Sequence, residues 1–201
     1  MNKSHLPQAA VAALLGAMFA ANACASLTVQ VIDSAGQPVA DAVVYAEGSA
    51  PLLKSPPQVE IEQKDKKFIP LVSVIQTGTA INFPNNDTVR HHAYSFSTPK
   101  PFELKLYAGT PAKPIIFDKA GTVVVGCNIH DQMIAYIQIV DTPFFAKTDA
   151  SGKARISNIV AGKYALKTWH YKQAAGAPVD EQAINYKDDA TITVKLSYKA
   201  S

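Results

Sequence analysis

The stretch Gly121-Thr122-Val123-Val124-Val125-Gly126-Cys127-Asn128-Ile129-His130-Asp131-Gln132-Met133 carries the two signals that decide how this chain is read. Its first half is a β-branched run bounded by glycines, the composition of a strand. Its second half is a tight loop that sets a thiol, an imidazole and a thioether at Cys127, His130 and Met133, just beyond the strand end.

Outward from there the same strand signal repeats. Leu27, Val29 and Val31 alternate with polar residues, Ser34-Ala35-Gly36-Gln37 marks a turn, and Ala42-Val43-Val44-Tyr45 resumes an apolar strand. Residues 46–57, with Pro51, Pro56 and Pro57, read as a linker or long loop. Strand-like segments recur near 68–75, 79–83, 92–97, 102–107, 114–117, 121–127 and 133–140. The closing part has a hairpin turn at Asp149-Ala150-Ser151-Gly152, a turn at Gly162, a strand from Tyr164 to Trp169 and a last strand near 191–196. Trp169-His170 reads as a packed indole followed by a surface imidazole. Sustained helical periodicity is missing throughout, so short strands at regular spacing predict an all-β sandwich.

The N-terminus reads as a leader. Residues 1–25 hold one basic residue, Lys3, an apolar run from Ala9 to Ala21, and Ala23-Cys24-Ala25 as a small-residue cleavage signal. The apolar run is short for a membrane span and no second one follows, which predicts a soluble mature chain from Ser26, periplasmic or secreted. A lipidated Cys24 is the alternative. Loss of the leader removes Lys3 from the 19 Lys and Arg and none of the 16 Asp and Glu, so the net charge falls from +3 to +2. With no basic run longer than Lys66-Lys67, nucleic acid is not an expected partner. Cys24, Met1 and Met18 leave with the same segment, and Cys127 and Met133 are the sulfur residues that remain. A lone cysteine in an oxidising compartment closes no intrachain disulfide; it is a buried bystander, an intermolecular link, or a metal or redox residue.

The donor types narrow that choice. A soft thiolate, imidazoles and a long thioether suit copper, whereas zinc usually takes a fourth strong ligand in place of a thioether. A second imidazole has to come from elsewhere, and His91-His92 follows the turn-like Pro84-Asn85-Asn86-Asp87. Strand alternation puts His92 with Tyr94 and Phe96 on one face and His91 with Ala93 and Ser95 on the other. The bulkier set predicts the core side, hence His92 with Cys127, His130 and Met133 as metal ligands. His91, Asn86 and Asn128 are then neighbours or alternative donors. A bulge at the strand entrance would exchange the two histidines.

Residues 59–140 resemble the cupredoxins, small blue-copper proteins such as plastocyanin, pseudoazurin and amicyanin. The spacing of Cys127, His130 and Met133 is similar to the short amicyanin loop, and Phe68-Ile69-Pro70, Gly78-Thr79-Ala80-Ile81-Asn82-Phe83 and Asn86-Asp87 resemble the approach to the first histidine. The resemblance implies a Greek-key β-sandwich with one copper ion, Cu(I) or Cu(II), held by His92, Cys127, His130 and Met133. Arg90 and His91 stand where the family has a proline before the first histidine, and no proline adjoins His130. A second resemblance covers the flanks: Val29 to Val44 and Lys147 to Leu166 look like the two parts of a carboxypeptidase regulatory-like, transthyretin-type module. The implied organisation is a leader at 1–25, a first part of the outer module and linker at 26–57, a copper domain at 58–142 and the second part of the outer module at 143–201. Such composite chains resemble methylamine utilization proteins.

Function follows as expectation. A site whose ligands are all protein leaves no open position for substrate, so an electron carrier is expected rather than an enzyme. Its partners would be periplasmic redox proteins such as a c-type cytochrome or a dehydrogenase, with Asp131 beside His130 favouring a basic one. Copper storage or delivery would call for more Met and His donors than the mature chain has, and a structural β module with an idle site is the remaining alternative.

Overall fold

The computed structural model describes residues 25–48, 53, 55–174 and 176–200, so the expected leader, with Cys24, lies outside the described residues. The strands are, in order, β1 Ser26–Ile32, β2 Val43–Glu47, β3 Val59–Glu60, β4 Glu62–Lys64, β5 Lys67–Ile69, β6 Val72–Gln76, β7 Thr79–Asn82, β8 His91–Ser95 and β9 Phe102–Tyr107. They continue as β10 Ile115–Phe117, β11 Gly121–Gly126, β12 Ile134–Val140, β13 Phe145–Lys147, β14 Lys153–Ser157, β15 Gly162–Trp169, β16 Asp180–Tyr186 and β17 Ala190–Lys195. No helix among the described residues is long and apolar enough to cross a membrane.

Two sandwiches share the chain. In the first, a five-stranded sheet ordered β6-β12-β11-β8-β9 faces a three-stranded sheet ordered β10-β7-β3. The chain passes between the sheets at β6 to β7, β7 to β8, β9 to β10 and β10 to β11, which is a Greek-key path. Period-two alternation does the packing. Val123 and Val125 of β11 and Ala135, Ile137 and Ile139 of β12 point inward onto Ile81, Phe83 and Phe117, all essentially buried. Tyr136 and Val140 take the opposite face of β12 and meet Val43, Tyr45 and Trp169 of the second sandwich. Both faces of β12 are therefore covered, and the Tyr136 and Trp169 rings lie 6.4 Å apart at this junction.

The second sandwich is built from the two flanks. β1 pairs antiparallel with β14 and parallel with β17, and β2 lies between β13 and β15, with β16 at the edge. Leu27, Val29, Val44, Ile156, Leu166 and Leu196 fill its core. The predicted hairpin turn closes at Gly152, whose φ of +74° places the absent Cβ 2.6 Å from the Val31 carbonyl oxygen, so only glycine fits. His170, expected at the surface, is buried at 2 % exposure against Tyr171 and Tyr198. Burial, and then the nearby Lys172, lowers its pKa.

Candidate metal centre

The end of the first sandwich gathers a thiol and two imidazoles. Cys127 follows β11 directly, and its loop is closed by two backbone hydrogen bonds: Met133 N–H donates to the His130 carbonyl at 2.9 Å, and Cys127 N–H to the Met133 carbonyl at 3.2 Å. These closures return the chain into β12 and hold His130 over the strand end. Cys127 Sγ lies 3.9 Å from His130 Nδ1 and 3.9 Å from His91 Nδ1, and the three donor atoms are all within 4.8 Å of one another. Cys127 and His91 are buried and His130 is half-buried. Met133, 1 % exposed, packs in the same core cluster as Cys127.

The structure brings together Cys127, His130 and His91, not His92. This corrects the expectation drawn from the bulk of Tyr94 and Phe96. Strand parity holds, since His91, Ala93 and Ser95 share the buried face. What fails is the link between bulk and interior. Phe83 and Phe117 already fill the core that this sheet faces and leave room for small residues, so the aromatic face turns out and Phe96 is 87 % exposed. The register shift opposite His91 falls on β9, where Tyr107 pairs with His91 and Leu104 with Ala93, and leaves the parity of β8 intact. His92 Nε2 instead lies 3.1 Å from Glu103 Oε1, and its ring packs 5.5 Å from that of Tyr94.

Asn86 is exposed and donates to Glu62 Oε1 at 2.8 Å, and Asn128 is exposed on the loop. The residue that supports the site is Asp87. Its Oδ2 lies 2.6 Å from His91 Nε2 and accepts the Lys66 N–H at 2.9 Å, while its Oδ1 accepts the Asp65 N–H at 2.8 Å. The Lys66 N–H, followed by the hydrogen bond to His91, holds the Asp87 carboxyl below the usual carboxylate range against the opposing effect of burial. A carboxylate acceptor fixes the proton on Nε2 and leaves the Nδ1 lone pair facing Cys127.

Asn85, also missed in sequence, holds the Asp87 segment. Its Oδ1 accepts the Asp87 N–H at 3.0 Å, and its Nδ2 donates to the carbonyls of Val89 and Tyr107 at 3.0 and 2.7 Å. Below it the Tyr107 hydroxyl donates to the Phe83 carbonyl at 2.7 Å and meets Gln63 Nε2. Burial pushes the Tyr107 pKa up to about 12, which keeps that donor protonated. The available signal was the spacing of Asp87 and His91 across the turn-like run; nothing local marks Tyr107.

The donor set fits a first-row metal. Bonds of about 2.0 Å to imidazole nitrogen and about 2.3 Å to thiolate, opened at a roughly trigonal angle, span about 3.7 Å, near the 3.9 Å separation found here twice.

No protein-family model and no curated protein matches the chain. Among solved structures, it is similar to a copper-containing nitrite reductase from Thermus scotoductus SA-01, 25% identical over 56% of this chain and 28% of that one, TM-score 0.40. The chain thus spans little more than a quarter of that protein's length. It is also similar to a purple cupredoxin from Nitrosopumilus maritimus, 19% identical over 41% of this chain and 98% of that one, TM-score 0.36. Amicyanin from Paracoccus versutus is 14% identical over 48% of this chain and 97% of that one, TM-score 0.36. Each is similar to part of this chain only.

Proposed function

We propose that this chain is a periplasmic one-electron carrier that would hold a single copper ion through His91, Cys127 and His130, with Met133 as a weak thioether donor. The observation that carries the proposal is the convergence of two imidazole Nδ1 atoms on the buried Cys127 sulfur at equal distances, with the far nitrogen of His91 already committed to Asp87. Copper bound there would supply a one-electron couple. The protein's part is rigidity and access. Asp87 and the loop hydrogen bonds fix the donors before metal arrives, and burial keeps solvent from Cys127, so a change of oxidation state requires little rearrangement. His130, half-buried beside exposed Ile129, offers an edge towards a partner.

Residues 58–142 form the copper unit in this reading, flanked by 26–57 and 143–201 as one transthyretin-type module. Support comes from the two separate cores and from the hydrogen bonds of Ala46 with Phe144 and Thr142, which bring the chain's entry to the copper unit close to its exit. Residues 1–25 act as the leader. Partners would be a c-type cytochrome or a dehydrogenase, and methylamine utilization is a fitting setting.

The test is metal loading of the mature chain. One equivalent of Cu(II) should give intense visible absorption from thiolate-to-copper charge transfer, and Cys127→Ser should abolish it. Tight zinc binding with no colour in the presence of Cu(II) would rule the proposal out.

A further inference from the structure

The outer face of β8 carries aromatic side chains that the metal site does not use. His92, Tyr94 and Phe96 run along it, with ring centroids 5.5 Å apart for His92 and Tyr94 and 5.2 Å apart for Tyr94 and Phe96. The row divides two grooves of about 600 Å³ each. One is lined by Phe96, Val124, Cys127 and Asp131, the other by His92, Phe96, Phe102 and Glu103. Phe96 stands out at 87 % exposure and Val124, which lines the same groove, is also exposed, and an apolar patch of this kind marks an interaction surface. Neither groove is lined by Lys or Arg, and Asp131 and Glu103 are the acidic side chains in them.

The row also reaches the metal site. Tyr94 pairs with Gly126, which is peptide-bonded to Cys127. Gly126 has no side chain, and the Tyr94 ring occupies the space instead: a Cβ there would meet Tyr94 Cζ at 3.2 Å and Oη at 3.3 Å. Contact is therefore continuous from the Cys127 backbone through the Tyr94 ring to the exposed Phe96 ring.

We propose that the Tyr94 and Phe96 face is a docking surface for a basic one-electron redox protein, distinct from the His130 end of the sandwich. The inference rests on the copper reading above. The occupant follows from charge and shape: apolar residues ringed by Lys or Arg would cover Phe96 and Val124 and face Glu103 and Asp131. One electron would leave the reduced site beside Cys127 and cross Tyr94 and Phe96 to an oxidised haem, so that Cu(I) becomes Cu(II) as ferric haem becomes ferrous.

The experiment uses a ferric c-type cytochrome of net positive charge and the Cu(I)-loaded mature chain. Phe96→Ala and Glu103→Gln should each lower the second-order rate by about tenfold, and added salt should slow the wild type. The visible spectrum and the rate with ferricyanide, a small anion, should stay unchanged. In the metal-free protein, the same cytochrome should shift the amide resonances of Tyr94, Phe96 and Glu103. A rate that falls with Ile129→Ala but not with Phe96→Ala, or shifts confined to the 128–132 loop, would overturn the proposal. Because shift mapping needs no metal, it decides the docking surface even if the copper reading fails its own colour test.

Discussion

Asp87 Oδ2 lies 2.6 Å from His91 Nε2, and two backbone N–H groups from the turn between β4 and β5 fix the same carboxylate. The negative charge behind His91 makes that imidazole a stronger donor on its Nδ1 side. Asp87→Asn keeps the shape and removes the charge. It should raise the reduction potential by on the order of 50 mV, the one-electron equivalent of roughly 1 kcal/mol from weakening a charge-assisted hydrogen bond. Voltammetry of wild type and variant checks this, and an unchanged or lowered potential would count against it.

The adjacent histidines separate cleanly. His91→Gly should remove a nitrogen donor, open the site to added imidazole and change the electron paramagnetic resonance spectrum of the Cu(II) form. His92→Gly should leave that spectrum intact, because His92 faces Glu103 and Tyr94. A disrupted spectrum for His92→Gly with a normal one for His91→Gly would reverse the assignment.

Much of this was legible in the residues. The β-branched run from Thr122 to Val125 predicted β11, and the donor spacing located the loop of Cys127, His130 and Met133. Parity correctly put His91 and His92 on opposite sides of β8. Which side faced the core was not legible, because local bulk says nothing about volume already filled by Phe83 and Phe117 from other strands. A large aromatic therefore points outward at Phe96 while Ala93 packs inward. Asp87 was visible only as part of a turn. Its role depends on N–H groups of Asp65 and Lys66, brought close by a hairpin that no local pattern ties to it.

Acid stability of the flanking sandwich should turn partly on Asp33. Its carboxylate accepts N–H groups of Gln37 and Ala35 at 2.9 Å each and of Ala200 at 3.3 Å. The Gln37 hydrogen bond leads the effects that lower its pKa, against the opposing effect of burial. A depressed carboxyl contributes stability that is fully present above its unfolded pKa, about 3.9, and is lost as pH falls through the lower folded value. Asp33→Asn should therefore melt below the wild type at pH 7, and the gap should close as the pH drops below about 4. Melting followed by circular dichroism on metal-free protein measures it. A gap independent of pH would mean that the charge is not the stabilising feature.

Besides the strand ladders, a side chain ties the two flanks at Thr148. This buried residue follows β13, and its hydroxyl donates to the Val39 carbonyl at 2.7 Å while accepting the Ala42 N–H at 2.8 Å. Its own N–H donates to the Ala42 carbonyl at 2.8 Å, and its carbonyl accepts the Asp41 N–H at 3.1 Å. The partners lie more than a hundred residues earlier, so the hydroxyl joins segments that the whole first sandwich separates in sequence. Thr148→Val keeps the shape and removes both side-chain hydrogen bonds, leaving a buried N–H and a buried carbonyl short of a partner. That should cost about 1–3 kcal/mol, whereas Thr148→Ser, which restores the hydroxyl, should recover most of it. The copper colour should survive in both variants, since none of these groups touches His91, Cys127 or His130. Denaturant unfolding of the three metal-free proteins measures the costs. A valine variant as stable as the wild type would show that the hydroxyl does not hold the flanks together.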